Sequence, residues 1–190
     1  MNKPKYYCFS DKKYNEDAYS FSSSHIMVLD GATGLSKKNY MSEDDAMWFV
    51  QMLKKEIEMH IKDPFSLSKE KQIPFLQTRE EIEIKEHLIR NRKLSNQYYY
   101  ILDPSKKGIS HALIKEWNLK DIDRICCMSD GFSQILMYPG YSDIKQILDA
   151  IETNEPIEKQ LYQYQEMDAD CILYPRLKKR DDTTYIYLNF

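Results

Sequence analysis

With 190 residues, the chain suffices for one domain with a sizeable core and is too short for two full ones. Hydrophobic residues make up 42% and charged residues 30%, a globular balance rather than a disordered one, and nothing in the net charge of -3 suggests the basic face that nucleic-acid binding needs; the run Lys178-Lys179-Arg180 reads as a solvated face. No run approaches the roughly 20 consecutive apolar residues of a membrane span, and the basic residues near Met1 have no apolar stretch behind them, so the expectation is a cytoplasmic protein with neither membrane nor nucleic-acid partner.

In chain order, Lys5 to Phe9 reads as a short aromatic strand and Ala18 to Phe21 as a second. His25 to Leu29 is an aliphatic run that stops at Asp30-Gly31-Ala32-Thr33-Gly34, a breaker cluster. A helix is predicted next, with Ser42 at its N-cap and Asp44 and Asp45 in the first turn, where the helix dipole favours carboxylates. Phe49, Met52, Leu53, Ile57 and Ile61 then recur at helical spacing, and the run stops before Pro64. Residues 63 to 78, with two prolines and several charges, read as the least structured part.

Glu80 to Asn91 reads as helical, Tyr98 to Leu102 as an aromatic strand, and Ser110 to Trp117 as a short helix. Ile125 to Met128 is a buried strand running into Ser129-Asp130-Gly131. Asp143 to Glu152 and Pro156 to Met167 read as helices, and Tyr185 to Asn189 as the closing strand. The expectation is a single α+β domain over residues 1 to 190, with helices covering sheet faces.

Several chemistries are disfavoured. Cys8, Cys126, Cys127 and Cys171 form no CxxC pair and have no histidine at ligand spacing, so they read as small buried apolar residues. His25, His60, His87 and His111 are scattered and read as surface or core residues. Ser129 and Ser133 lie in no Gly-x-Ser-x-Gly elbow, which argues against a serine hydrolase. Tyr98, Tyr99 and Tyr100 fit a half-buried strand better than a base-stacking platform.

Acidic clusters carry the remaining signal. Asn15-Glu16-Asp17-Ala18, Asp30-Gly31, Ser129-Asp130-Gly131 and Asp181-Asp182-Thr183-Thr184 each sit at one end of a predicted strand. Carboxylates at neighbouring strand ends converge on one sheet edge and repel by about 4 kcal/mol per pair at 4 Å and an effective dielectric near 20. Such a group persists when cations compensate it, and oxygen-only ligation selects hard cations such as Mg²⁺ or Mn²⁺. An Asp-Gly pair alone is also the commonest hairpin signal.

In this order the four motifs resemble the PPM, or type 2C, metal-dependent serine/threonine protein phosphatases. The second half is similar to a bacterial branch of that family through Arg92, Asn96, Tyr98 to Tyr100, Asp103-Pro104, Ser129 to Phe132, Glu166, Asp168, Asp170, Pro175-Arg176-x-Lys178 and Asp181 to Thr184.

The resemblance implies an antiparallel β-sandwich flanked by helices (α-β-β-α) and two Mn²⁺ or Mg²⁺ ions that activate a water to hydrolyse phosphoprotein phosphomonoesters. Asp30 would bridge the ions with the Gly31 carbonyl as a further ligand. Asp130 and Asp181 would hold one ion, Glu16 would serve the other, and Asp17 would orient coordinating waters. Lys12 stands where the family usually has a phosphate-gripping arginine, and lysine lacks the bidentate fork. The family's central Gly-Asp-Ser or Gly-Asp-Cys motif is missing, since no glycine lies between Gly34 and Gly108. The resemblance therefore implies a shortened sandwich without some central strands. The alternative is a phosphatase-like binding module that recognises a phosphoprotein without turnover.

Overall fold

Among the described residues, apolar and aromatic runs form five strands. They are β1 (Lys5–Phe9), β2 (Ala18–Phe21), β3 (Ile26–Leu29), β4 (Arg124–Met128) and β5 (Thr183–Asn189). The helices are α1 (Asp45–His60), α2 (Asp130–Ser133), α3 (Ile144–Glu152) and α4 (Ile157–Met167). The computed structural model describes residues 3–32, 44–60, 96–97, 100–101, 107–176 and 178–190. Among them the fold is α+β, with two small antiparallel sheets and four helices, and neither sheet closes into a barrel. No helix among these residues is long and apolar enough to cross a membrane.

Met1–Pro64 and Asn118–Phe190 form one compact unit and Phe65–Trp117 a second. In the first unit, β5 is the central strand of a sheet ordered β1-β5-β4, and Tyr185 lies opposite both Tyr7 and Met128. β2 and β3 pair in a separate hairpin, Ala18 opposite Leu29, which lies against β5 and β4. Tyr6 of β1 stacks on Tyr19 of that hairpin, ring centres 5.0 Å apart. α1 lies against β2.

The other face of the sheet holds the main core. Tyr185 and Tyr187 meet Phe132, Ile135, Ile147, Ile151, Ile157 and Leu161 there. Burying each large aliphatic side chain contributes about 1.5–3 kcal/mol, which fixes α3 and α4 on this face. A capping box starts α3: Asp143 accepts the Lys145 N–H at 2.8 Å, and the Gln146 side chain accepts the Asp143 N–H at 3.1 Å. In the second unit the Tyr100 ring stacks on His111, and Asn96 Oδ1 accepts the Ile101 N–H at 3.1 Å.

Three expectations need correction. Asp44, not Ser42, caps α1, because its Oδ1 accepts the Met47 N–H at 2.8 Å and the helix begins at Asp45; Ser42 itself lies outside the described residues. The helix expected over Ser110 to Trp117 is a single 3₁₀ turn, Ile109–His111, after which the backbone leaves the helical region at Ala112 with ψ 132°. Leu113, Ile114 and Trp117 are all exposed, so the segment buries nothing that would hold a helix. Tyr100 and Ile101 are not in a strand. Tyr98, Tyr99 and Leu102, the helix expected over Glu80 to Asn91, and nearly all of 63 to 78 lie outside the described residues.

Candidate functional site

Four strand ends deliver four aspartates to one place. Asp17 directly precedes β2, Asp30 directly follows β3, Asp130 follows β4 after Ser129, and Asp181 stands two residues before β5. β3 lies against β4, so their ends are neighbours, and the Asp130 N–H donates to Asp30 Oδ2 at 3.2 Å. Ser129 extends the β4–β5 ladder into the site: its N–H donates to the Thr184 carbonyl at 2.9 Å, and its Oγ accepts the Thr184 N–H at 3.0 Å.

Glycine is required at two of these ends by close backbone approach. A Cβ at Gly31 would stand 2.3 Å from the Glu16 carbonyl oxygen, and one at Gly131 would stand 2.0 Å from that of Asp182. The Asp-Gly pairs are therefore places where two chain segments press together, not hairpin turns.

Three of these carboxyls, those of Asp30, Asp130 and Asp17, resist ionisation. Asp30 is an exposed residue, yet protein crowds its carboxyl; this desolvation, then the charges of Asp130, Asp17 and Asp181, push it up to about 8 against the hydrogen bond from the Asp130 N–H. Asp130 is raised by the same crowding and by Asp181, with Asp30 and Lys178 working the other way. Asp17 is buried, and desolvation raises it to about 6 despite hydrogen bonds with Ser129 and Thr184, with Asp182 and Asp181 adding to the rise. Its Oδ2 is buried with no hydrogen-bond partner. An unpartnered buried carboxylate oxygen beside three more aspartates marks a shortage of positive charge.

Glu16 and Lys12 are joined to each other. Lys12 Nζ donates to Glu16 Oε2 at 2.7 Å and to Asp182 Oδ2 at 3.0 Å. Burial works against the Lys12 charge, but these two bonds outweigh it and hold the ammonium above the ordinary lysine range. Asp182 also accepts the Glu16 N–H at 3.0 Å and the Ser10 hydroxyl at 2.6 Å. Asp30, Asp130, Asp17 and Asp181 thus form one electrostatic group, while Lys12 and Glu16 belong to an adjoining ion-paired one. Among the described residues, no three His, Cys, Asp or Glu side chains are already arranged to hold a metal ion.

Three further residues matter that the motifs did not assign. Asp182 is buried and organises Ser10, Lys12 and Glu16; its position one residue from Asp181 is the signal, because neighbours in an extended chain point opposite ways. Lys178 forms an ion pair with Asp181. Arg176 pairs with Asp168 at 2.7 Å, both side chains almost fully buried. Asp168 also accepts the N–H groups of Ile172 and Leu173 at 2.9 Å and of Tyr174 at 3.0 Å, so the loop leading to Lys178 is wrapped around one carboxylate.

None of the four cysteines is in a disulfide, and all are half-buried. Burial pushes the Cys126 thiol up to about 12 and raises Cys127, which leaves neither poised as a nucleophile. A cleft of about 380 Å³ lined by Tyr141, Gln146, Asp149, Glu155, Gln160 and Tyr164 lies along α3 and α4 and shares no residue with the acidic group. Comparison of the chain with protein-family models, with curated proteins and with solved structures gives no match.

Proposed function

We propose that the chain is a metal-dependent phosphoprotein phosphatase that hydrolyses phosphoserine and phosphothreonine monoesters. The observation that carries this reading is the convergence of Asp17, Asp30, Asp130 and Asp181, of which the first three are held above the ordinary carboxylate range and Asp17 keeps a buried oxygen with no partner. All-oxygen donors suit two Mn²⁺ or Mg²⁺ ions, and the repulsion among the donors is what such ions relieve. Two hard cations, when bound, supply an acidified water and charge for the phosphoryl oxygens.

Each residue of the chain then has a task. Asp30 with the Gly31 carbonyl, Asp130 and Asp181 would hold the ions from the β3, β4 and β5 ends, and Asp17 would orient coordinating water. Glu16 completes the set by turning off Lys12. The contacts of α1 with β2 and of the β2–β3 hairpin with β5, and the core that Tyr185 and Tyr187 share with residues of α3 and α4, support a shortened α-β-β-α sandwich as the framework.

A second reading, a phosphoprotein-binding module without turnover, draws support from the Lys12–Glu16 pair, which must open before Glu16 serves an ion. Hydrolysis of p-nitrophenyl phosphate and of a phosphothreonine peptide with Mn²⁺ tests both. Wild type should be active, and Asp30→Asn and Asp130→Asn should not. Equal rates in all three remove the phosphatase; Mn²⁺ binding without turnover favours the binding module; absence of Mn²⁺ binding removes both.

A further inference from the structure

Two lysines stand at the acidic group in different circumstances. Lys12 lies between Glu16 and Asp182, carboxylates whose side chains are 5% and 3% exposed, so its charge is already matched by buried partners. Lys178 rests on one oxygen of Asp181, with its own side chain 46% exposed, and its charge also reaches Asp130. The loop that carries it is fixed at its base by the buried Asp168–Arg176 pair. The next residue, Lys179, lies on Glu166 at 2.7 Å instead. The buried Asp17 Oδ2 without a partner shows that Lys178 does not satisfy the whole group.

An exposed ion pair of this kind shifts an equilibrium by only about two- to five-fold, so a divalent ion competes with Lys178 for Asp181 with ease. The displaced ammonium, a point charge with three donors on a flexible four-carbon stem, stays within reach of whatever binds beside Asp181.

We propose that Lys178 is the substrate-contacting cation of this centre, resting on Asp181 without metal and passing to a phosphoryl oxygen once a divalent ion takes that carboxylate. This builds on the metal-centre reading above and moves to Lys178 the role that the motif order gives to Lys12.

Calorimetry on chelator-treated full-length protein tests it without any measurement of turnover. Mn²⁺ is titrated into wild type, Lys178→Met and Lys179→Met, and inorganic phosphate is then titrated into each Mn²⁺-saturated protein. Lys178→Met should bind Mn²⁺ about two- to five-fold more tightly, because a competing cation is gone. It should bind phosphate about ten-fold more weakly, because a charge-assisted hydrogen bond is lost. Lys179→Met removes the same charge without touching Asp181 and should match wild type in both titrations.

Wild-type behaviour of Lys178→Met in either titration, or equal changes in the two variants, overturns the proposal while leaving the metal centre standing. No Mn²⁺ binding by wild type overturns the metal centre and this role for Lys178 together.

Discussion

The backbone N–H of Asp130 donates to Oδ2 of Asp30 at 3.2 Å, tying the end of β4 to the end of β3 across 100 residues of sequence. That bond favours the ionised Asp30, yet desolvation and the neighbouring carboxylates prevail and the group is raised to about 8. The site is held together against its own charge.

Removing one of those charges should separate stability from activity. Asp30→Asn keeps an acceptor for the Asp130 N–H while deleting an anion. Since Asp30 is exposed, solvent screens the repulsion, and the gain should be about 0.5–1 kcal/mol, or roughly 2–3 °C in the unfolding midpoint measured in chelator. Mn²⁺-dependent hydrolysis should fall by at least about 100-fold. A variant less stable than wild type in chelator would show that the aspartates are not in conflict.

The dependence on pH has a definite sign. Asp17 and Asp30 bind their protons more tightly folded than unfolded, at about 6 and about 8. Their contribution to stability is complete below the unfolded carboxyl value near 4 and is lost as pH rises through 6 and then 8. Asp168 behaves oppositely. Burial works to raise it, but the Leu173 N–H, Arg176 and the N–H groups of Tyr174 and Ile172 prevail and hold it at about 2. Its contribution is present above about pH 4 and lost only toward about pH 2. Metal-free protein should therefore melt at a lower temperature at about pH 8.5 than at about pH 5.5, and Mn²⁺ should raise the midpoint more at the higher pH. A midpoint in chelator that climbs over this range contradicts the crowding.

The grouping of Asp17, Asp30, Asp130 and Asp181 was legible because each acidic motif sits at one end of a predicted strand, although those strands belong to two sheets rather than one. What sequence could not show is partner choice. Nothing local distinguishes Asp182, which faces Lys12, Glu16 and Ser10, from Asp181 beside it, which faces Lys178 and the other aspartates. Ser110 to Trp117 read as a short helix, but a helix needs a surface to bury its apolar side chains against, and Leu113, Ile114 and Trp117 are all exposed. The capping of α1 moved from Ser42 to Asp44 because either residue type serves, and backbone geometry decides.

Two glycines give contrasting expectations. At Gly131 a methyl group would stand 2.0 Å from the Asp182 carbonyl oxygen and 3.0 Å from Asp181 Cβ, so Gly131→Ala must push β5 away from α2. It should cost about 2–3 kcal/mol in urea unfolding and abolish Mn²⁺-dependent hydrolysis. Gly140 has φ +94° and nothing within 4 Å, so Gly140→Ala should cost about 1 kcal/mol through backbone strain alone and leave hydrolysis intact. Equal activity in the two variants would contradict the close approach at Gly131.

Arg176 should matter more to the fold than any exposed charge. Its Nη1 donates to Asp168 Oδ2 at 2.7 Å and the Tyr174 carbonyl at 3.1 Å, Nη2 to the carbonyls of Gln165 at 3.1 Å and Asp168 at 2.5 Å, and Nε to that of Lys179 at 3.1 Å. With both side chains of the pair at most 4% exposed, Arg176→Met strands the Asp168 carboxylate and should cost about 3–5 kcal/mol in urea unfolding. Lysine keeps the charge but not the fork, so Arg176→Lys should recover less than half of the loss. The double variant Asp168→Asn/Arg176→Met should be more stable than Arg176→Met alone, since the remaining amide carries no charge to strand. Should Arg176→Met unfold within about 1 kcal/mol of wild type, the carboxylate is not enclosed, and the loop that brings Lys178 to Asp181 is anchored some other way.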